Sequence, residues 1–429
     1  MAEFSDLPNE LVLELWHHVL PPEDIASFAL VSKRIYALAA ESLKEHHRLR
    51  SKYSTVANYR SCDQNVFVHL LKEVLLTPHI ASYVKAVYVD DWRDCWEDWP
   101  LESYPERDMD LFREGIRKAE FLLPGDVDDW ISILESGNEE PILGLLLSLL
   151  PKLCTLRFGN SPVGHLILET IRLIAETTNS KSLSELRSIH MSYDVYDRDT
   201  SLSFIKPFAL LPSMEKISCR NFHHPIGACE VPDFTIAPRS SNVTELVIDS
   251  LVGLARYEYD SMLFKGIKGL KRFTHVSNYE THHPFSLRSA LLSHCGHSLE
   301  YLKMRCVQGI PEYMGSLASF EKLKTLDIEH SLLVDWNASD GFDIASTLPT
   351  SIEAIDINGQ FRVVAGYIRP VVTSLANAKR TRLPNLETLN YNVFGNTLGT
   401  DEDLDKDLAE DLADMRRLCE INGVVLKFQ

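Results

Sequence analysis

The chain lacks any apolar run long enough to cross a bilayer: the longest, Ile142 to Leu150, falls well short of the ~20 residues a spanning helix needs. It opens without a charged-then-apolar stretch, so no secretory leader is expected. Cation excess is missing too. Lys and Arg number 43 against 61 Asp and Glu, and the net charge of -18 argues against a general nucleic-acid or membrane-surface binder. There is no CxxC pair. The eight cysteines are scattered, which is a reduced pattern rather than a disulfide framework and points to a cytoplasmic or nuclear protein. GxSxG, Walker, GxGxxG and HExxH motifs are absent, so no catalytic residue and no cofactor are assigned. The nearest approach to chemistry is Cys219-x3-His223-His224-x4-Cys229. Its spacing matches none of the common zinc patterns, and no metal is expected there.

What is present begins with FSDLPNELVLELWHHVLPPEDIASFALVSKRIYALAAESL. Ser5 and Asp6 suit a helix cap, Pro8 a first turn and Glu10 the positive end of a helix dipole. Leu11, Leu15 and Val19 recur at spacing four as one apolar stripe. Pro21 and Pro22 end that helix. Asp24 begins a second helix through Ile25, Phe28 and Ala29, and Ser32 caps a third with Ile35, Leu38 and Ala39 on one face. Three such helices bury little alone, so some apolar surface should seek a partner.

From about residue 80 a second pattern takes over: apolar, two variable, apolar, one variable, apolar. It runs through Val84-Val87-Val89, Leu153-Leu156-Phe158, Leu186-Ile189-Met191, Met214-Ile217-Cys219 and Val243-Leu246-Ile248. It continues through Leu270-Phe273-His275, Leu299-Leu302-Met304, Leu323-Leu326-Ile328, Ile352-Ile355-Ile357 and Leu386-Leu389-Tyr391. The starts recur roughly every 28 residues, the signature of a leucine-rich repeat. The interval from 84 to 153 has room for one or two degenerate units. Between strands lie helical patterns such as Leu166-Ile167-Ile171-Ile174, Leu287-Leu291-Leu292 and Ile368-Val371-Val372-Leu375. Leu-Pro precedes the strands at 150-151, 211-212, 348-349 and 383-384. The Asn or Cys that usually follows the last strand leucine is mostly missing; Ser161, Asp194, Val307, Ser331 and Gln360 take its place.

The ordered set Leu7-Pro8-x-Glu10-Leu11, Leu15, Asp24 and Val31-Ser32-Lys33-Arg34 resembles the F-box, the helical module that plugs substrate receptors into SCF-type cullin-RING ubiquitin ligases. One departure is Ile35 where many members of that family carry Trp. The whole chain resembles, loosely, the F-box/leucine-rich-repeat proteins numerous in fungi. The expected architecture is α/β: a short N-terminal three-helix F-box over 1-50, a helical linker over 51-80, an irregular leucine-rich-repeat-like solenoid over 81-399, and a capping helix and strand over 400-429. The resemblance implies that Leu7, Pro8, Glu10, Leu11, Leu15, Leu30, Val31, Ser32 and Lys33 face the Skp adaptor subunit, which bridges to the cullin. It also implies that the solenoid holds the protein to be ubiquitinated and that the chain itself is not an enzyme. Two other readings stand beside it: an adaptor-bound scaffold that never directs ubiquitination, and an enzyme on an α/β fold.

Residues between the apolar strand positions should lie on the ligand face. These are Arg157, His190, Lys216, Arg220, Arg272, Lys303 and Arg305, then Asp327, Glu329 and Asp356, with Glu245 and Asp249 interrupting the cations. In so acidic a chain this basic cluster suggests an anionic protein cargo, including a phosphorylated one; Lys216, Arg220, Arg272, Lys303 and Arg305 are the candidate contacts. Elsewhere, Phe67, Leu70, Leu71, Val74 and Leu75 predict a helix joining the two parts. Trp92, Trp96 and Trp99 sit at helical spacing, as core or as a partner anchor. At the far end, Leu404, Leu408, Leu412 and Met415 predict an inward helix face, and Val424 to Phe428 a final strand.

Overall fold

The computed structural model is described over residues 7–18, 22–58, 65–90, 105–159, 163–177, 181–192, 204–222, 236–250, 257–277, 284–306, 312–335, 343–394 and 402–428. It is a mixed α/β structure with a 12-stranded sheet whose strands follow one another in chain order. The strands are β1 (Thr55–Ala57), β2 (Ala86–Val89), β3 (Thr155–Phe158), β4 (Ser188–Ser192), β5 (Lys216–Phe222), β6 (Glu245–Ser250), β7 (Arg272–Ser277), β8 (Tyr301–Cys306), β9 (Thr325–Glu329), β10 (Ala354–Gln360), β11 (Thr388–Phe394) and β12 (Val425–Phe428). Two compact units divide the chain, the first running to His190 with Leu211–Ser213, the second comprising the rest.

The first unit opens with α1 (Asn9–His18), α2 (Pro22–Ala29), α3 (Lys33–Leu38) and α4 (Ala40–Tyr53). Val12, Ile25, Ala29, Ile35, Ala39 and Leu43 form their core, with Leu7, Phe28 and Leu38 packed partly against it. Ser32 caps α3 as the sequence suggests, its Oγ accepting from the Ile35 N–H at 3.2 Å. The apolar stripe of α1 turns the other way from a core stripe: Val12 is buried, whereas Leu11 and Leu15 are exposed.

The fourth helix crosses the expected boundary at residue 50. Leu43, His46, Leu49 and Tyr53 recur every three or four residues and are buried on one face. His46 Nδ1 lies 3.1 Å from the Tyr83 hydroxyl. At the helix end, the Ser54 carbonyl accepts from the N–H groups of Lys85 and Ala86, so α4 runs directly into β1. A strand at Thr55–Ala57 was not expected within the helical linker; three residues are too few for alternation to show. The joining helix α5 (Val66–Leu76) buries Phe67, Leu70, Leu71 and Val74 as predicted.

The interval from 84 to 153 holds no further strand among the described residues, because β2 pairs directly with β3. Over residues 105–150 that interval holds α6 (Glu106–Arg117), α7 (Val127–Glu135) and α8 (Glu140–Ser148). The apolar run Ile142 to Leu147 is buried on all sides in α8. A Cβ at Gly144 would lie 2.7 Å from the Trp130 ring, so glycine sets how closely α8 approaches α7. The first unit also holds α9 (His165–Glu176), which buries Ile167, Ile171 and Ile174.

The second unit contains β5 to β12, with α10 (Ile205–Ala209), α11 (Tyr257–Gly266), α12 (Pro284–Cys295), α13 (His330–Leu333), α14 (Phe361–Ala378) and α15 (Glu402–Ile421). Its apolar strand positions stack in parallel register, from Ile217 through Leu246, Phe273, Leu302, Leu326, Ile355 and Leu389 to Leu426. All of these are buried. The column faces the helices: the Phe264 ring of α11 meets Phe273 edge-on at 5.3 Å between centroids. In α14, Ile368, Val371, Val372 and Leu375 are buried as predicted. Met415 of α15 is buried and Leu412 half-buried, while the side chains of Leu404 and Leu408 lie outside the described residues. β12 completes the sheet by pairing with β11.

One hydrogen-bond device recurs from strand to strand. At each lead-in, two successive N–H groups share one carbonyl of the preceding strand's lead-in. Lys271 and Arg272 donate to Thr244, Glu300 and Tyr301 to Lys271, Lys324 and Thr325 to Glu300, and Glu353 and Ala354 to Lys324. A side chain adds a second tie. The residue just before the first apolar position, Ser298 or Ser351, donates its Oγ to the carbonyl of Leu270 or Leu323, the first apolar position one repeat earlier. Ser213 does the same to Leu186 within the first unit. The role usually given to Asn after the strand moves inside it. Asn358 is fully buried, and its Nδ2 donates to Asp327 Oδ1 at 2.7 Å and lies within reach of the Ile328 and Asp356 carbonyls.

Candidate functional site

Two surfaces bring candidate residues together. The first is on the N-terminal helices. Leu30 is 78% exposed and Val31 63%, at the turn between α2 and α3; Leu11 is 45% exposed on α1, with Leu15 beyond it. Pro8, Glu10, Ser32 and Lys33 are also exposed. Leu7 differs from expectation: it is half-buried against the helical core, so it supports the surface more than it forms it.

Arg34 ties the two halves of the motif. Its guanidinium donates to Asn9 Oδ1 at 2.6 Å and to the Leu7 carbonyl at 2.5 Å, linking the start of α3 to the start of α1. Ile35 is a core residue here. Its neighbour Tyr36 is exposed instead. Sequence reasoning gave Tyr36 no role, yet it lines a groove of about 510 Å³ with Ala26, Ala29, Leu30, Ala40 and Leu43. Lys44 and His47 complete the groove wall.

The second surface is the outward side of the strands in the second unit. Lys216, Glu245, Arg272 and Tyr301 form one row across β5–β8; Ser218, Val247, Thr274 and Lys303 form the next; Arg220, Asp249, Val276 and Arg305 form the third. All five candidate cations therefore share one face. They do not form a purely basic patch. Lys216 Nζ lies 2.7 Å from Glu245, and the Arg272 guanidinium reaches the same carboxylate at 3.9 Å while stacking over the Tyr301 ring at 4.0 Å. Asp327 of β9 receives Lys303 at 2.9 Å and Arg305 at 3.1 Å. Its side chain is only 9% exposed, beneath cations that remain open to solvent. Arg220 acts on Asp249 through charge alone, opposing the upward push that burial gives that carboxyl.

Toward β9–β11 the same rows change character. Asp327, Glu329 and Asp356 are joined by Asn358, Asn390 and Asn392. Asn390 donates to Asp356, and Asn392 Nδ2 donates to Asn358 Oδ1 at 3.0 Å. Burial pushes the Glu329 carboxyl up to about 7; Arg305 opposes the shift and Asp327 adds to it.

Of the zinc reading, Cys219 is a fully buried thiol in the inward column, its pKa driven far up by burial; His223, His224 and Cys229 lie outside the described residues. Among the described residues no group of three or more His, Cys, Asp or Glu is placed to hold a metal ion. Trp92, Trp96 and Trp99 also fall outside the described residues. No described helix is long and apolar enough to cross a membrane. No protein-family model matches the chain, and a search of curated proteins gives no significant match.

Proposed function

We propose that the chain is the substrate-recognition subunit of an SCF-type cullin-RING ubiquitin ligase, acting in the cytoplasm or nucleus. Helices α1–α3 are its F-box and dock on the Skp adaptor. The repeats are an irregular leucine-rich-repeat-like solenoid whose outward strand face holds the protein cargo. The observation that carries the reading is the exposed apolar set Leu11, Leu15, Leu30 and Val31, lying on the segment whose sequence resembles an F-box. Exposed leucine and valine at these levels cost solubility unless a partner covers them, at roughly 1.5–3 kcal/mol per fully buried side chain. The repeating strand register supports the solenoid. On this reading the chain performs no chemistry. It raises the local concentration of a cargo lysine beside the charged conjugating enzyme.

The test is affinity capture from cells of wild type against Leu30→Asp/Val31→Asp. Capture of adaptor and cullin by wild type, and of neither by the variant, is the expected result. Adaptor without cullin would favour the scaffold reading. If wild type captures no adaptor, the ligase reading fails.

A further inference from the structure

The outward positions of β5–β8 carry five cations, Lys216, Arg220, Arg272, Lys303 and Arg305, against two carboxylates, Glu245 and Asp249. In a chain of net charge -18 that excess is local and opposite to the whole. Between the first and third rows the middle positions of β5–β7 are small: Ser218, Val247 and Thr274. The outer rows are four residues apart along each strand, about 13 Å, so the small row forms a trough wide enough for one extended chain lying across the strands.

The cations beside this trough are held in place. Arg272 rests on the Tyr301 ring, and Lys303 and Arg305 share the nearly buried Asp327 carboxylate, which also accepts from Asn358. Glu245 and Asp327 each bridge two cations, and Arg305 also faces the Glu329 carboxyl, which burial keeps protonated up to about 7. Side chains already fixed lose less freedom when a ligand arrives.

We propose that the trough across β5–β8 takes an extended acidic segment of the cargo protein, its anionic side chains seated between Lys216 and Arg272 on one side and Arg220 and Arg305 on the other, with Lys303 closing the end. The proposal rests on the reading that the strand face holds cargo. Carboxylates and phosphates share the required chemistry. Nucleic acid is the poorer fit, because a chain this acidic repels a long polyanion everywhere else.

The test is fluorescence anisotropy on the full chain with labelled oligoglutamate, phosphoserine-containing and oligolysine peptides and a single-stranded oligonucleotide. Wild type should bind the two acidic peptides, more weakly as salt rises, and their ratio tells carboxylate from phosphate preference. Arg272→Gln/Lys303→Gln and, separately, Arg220→Glu should each lose about ten-fold in affinity, whereas Arg117→Gln/Lys118→Gln on α6 should lose nothing. Acidic-peptide binding that is absent, insensitive to both trough variants, or weaker than oligolysine or oligonucleotide binding would overturn the proposal. Adaptor capture by the same variants separates the two readings. Trough variants whose urea midpoint matches wild type are folded, and a chain that binds acidic peptide but no adaptor contradicts only the ligase assignment.

Discussion

The N-terminal helices and the strand array handle apolar residues in opposite ways. In the array, each apolar strand position stacks on an equivalent one and disappears from solvent; Leu246, Leu302, Leu326, Ile355 and Leu389 have none of their surface exposed. In the helices, Leu30 and Val31 stand almost free at the α2–α3 turn while Val12, Ile25, Ile35 and Leu43, with Ala29 and Ala39, fill the interior. The array satisfies its apolar surface by repetition, each strand covering the last. Among the described residues nothing covers Leu11, Leu30 or Val31 in this way. Leucine is thus packed away in one region and left in solvent at Leu11, Leu15 and Leu30 in the other, although composition treats them alike.

The sharpest way to break this contrast is to truncate one leucine in each region. Leu302→Ala should cost about 2–5 kcal/mol, since the column around it cannot collapse into the gap, and urea denaturation would read the loss. Leu30→Ala should change stability by less than about 0.5 kcal/mol in the same experiment. Comparable losses at the two sites would mean that the helical surface is folded against something and is not a free docking face.

A smaller effect sharpens the array's side of the comparison. The Ser298 and Ser351 hydroxyls tie each repeat to the last, and removing one hydroxyl by Ser298→Ala should cost about 1 kcal/mol in thermal unfolding. The exposed Ser289 hydroxyl, which bonds only back within its own helix, is the control and should cost less.

Much of this contrast was legible in the sequence, and the reasons differ by region. The column of Ile217, Leu246, Phe273, Leu302, Leu326, Ile355 and Leu389 could be read off in register because a repeat imposes the same burial on the same offset many times. β1 escaped notice because three residues carry no period, and the interval holding α6–α8 stayed open because spacing alone cannot tell an insertion from a degenerate unit. On the helices, the spacing-four stripe of Leu11 and Leu15 was visible but not its direction; only the packing of Val12 against the other helices fixes that. Among the candidate cations, all five shared a face as expected. Their carboxylate partners could not be assigned without cross-strand register, which places Glu245 between Lys216 and Arg272.

The last prediction uses pH to separate buried titratable groups within the array. Burial lowers His275 to about 4 from an ordinary 6.5, so its native form is neutral. The unfolded chain takes up a proton first as pH falls, and stability present above 6.5 is lost progressively toward 4. His330, also lowered to about 4, adds in the same direction. Glu329 acts oppositely. Its native carboxyl keeps a proton up to about 7, against 4.5 when unfolded, so its contribution is present at low pH and is lost as pH rises from 4.5 to 7. Between 4.5 and 6.5 the two histidines outweigh the single carboxyl, and stability should rise with pH. Above 6.5, of these three groups only Glu329 still titrates. Glu329→Gln should therefore steepen the rise below 6.5 and abolish the decline toward 7, by on the order of 1–3 kcal/mol between the extremes. Denaturant midpoints measured across this range would show it. An unchanged profile would place Glu329 in water, and with it would go the picture of a half-buried acidic margin beside Arg305 at the end of the cationic trough.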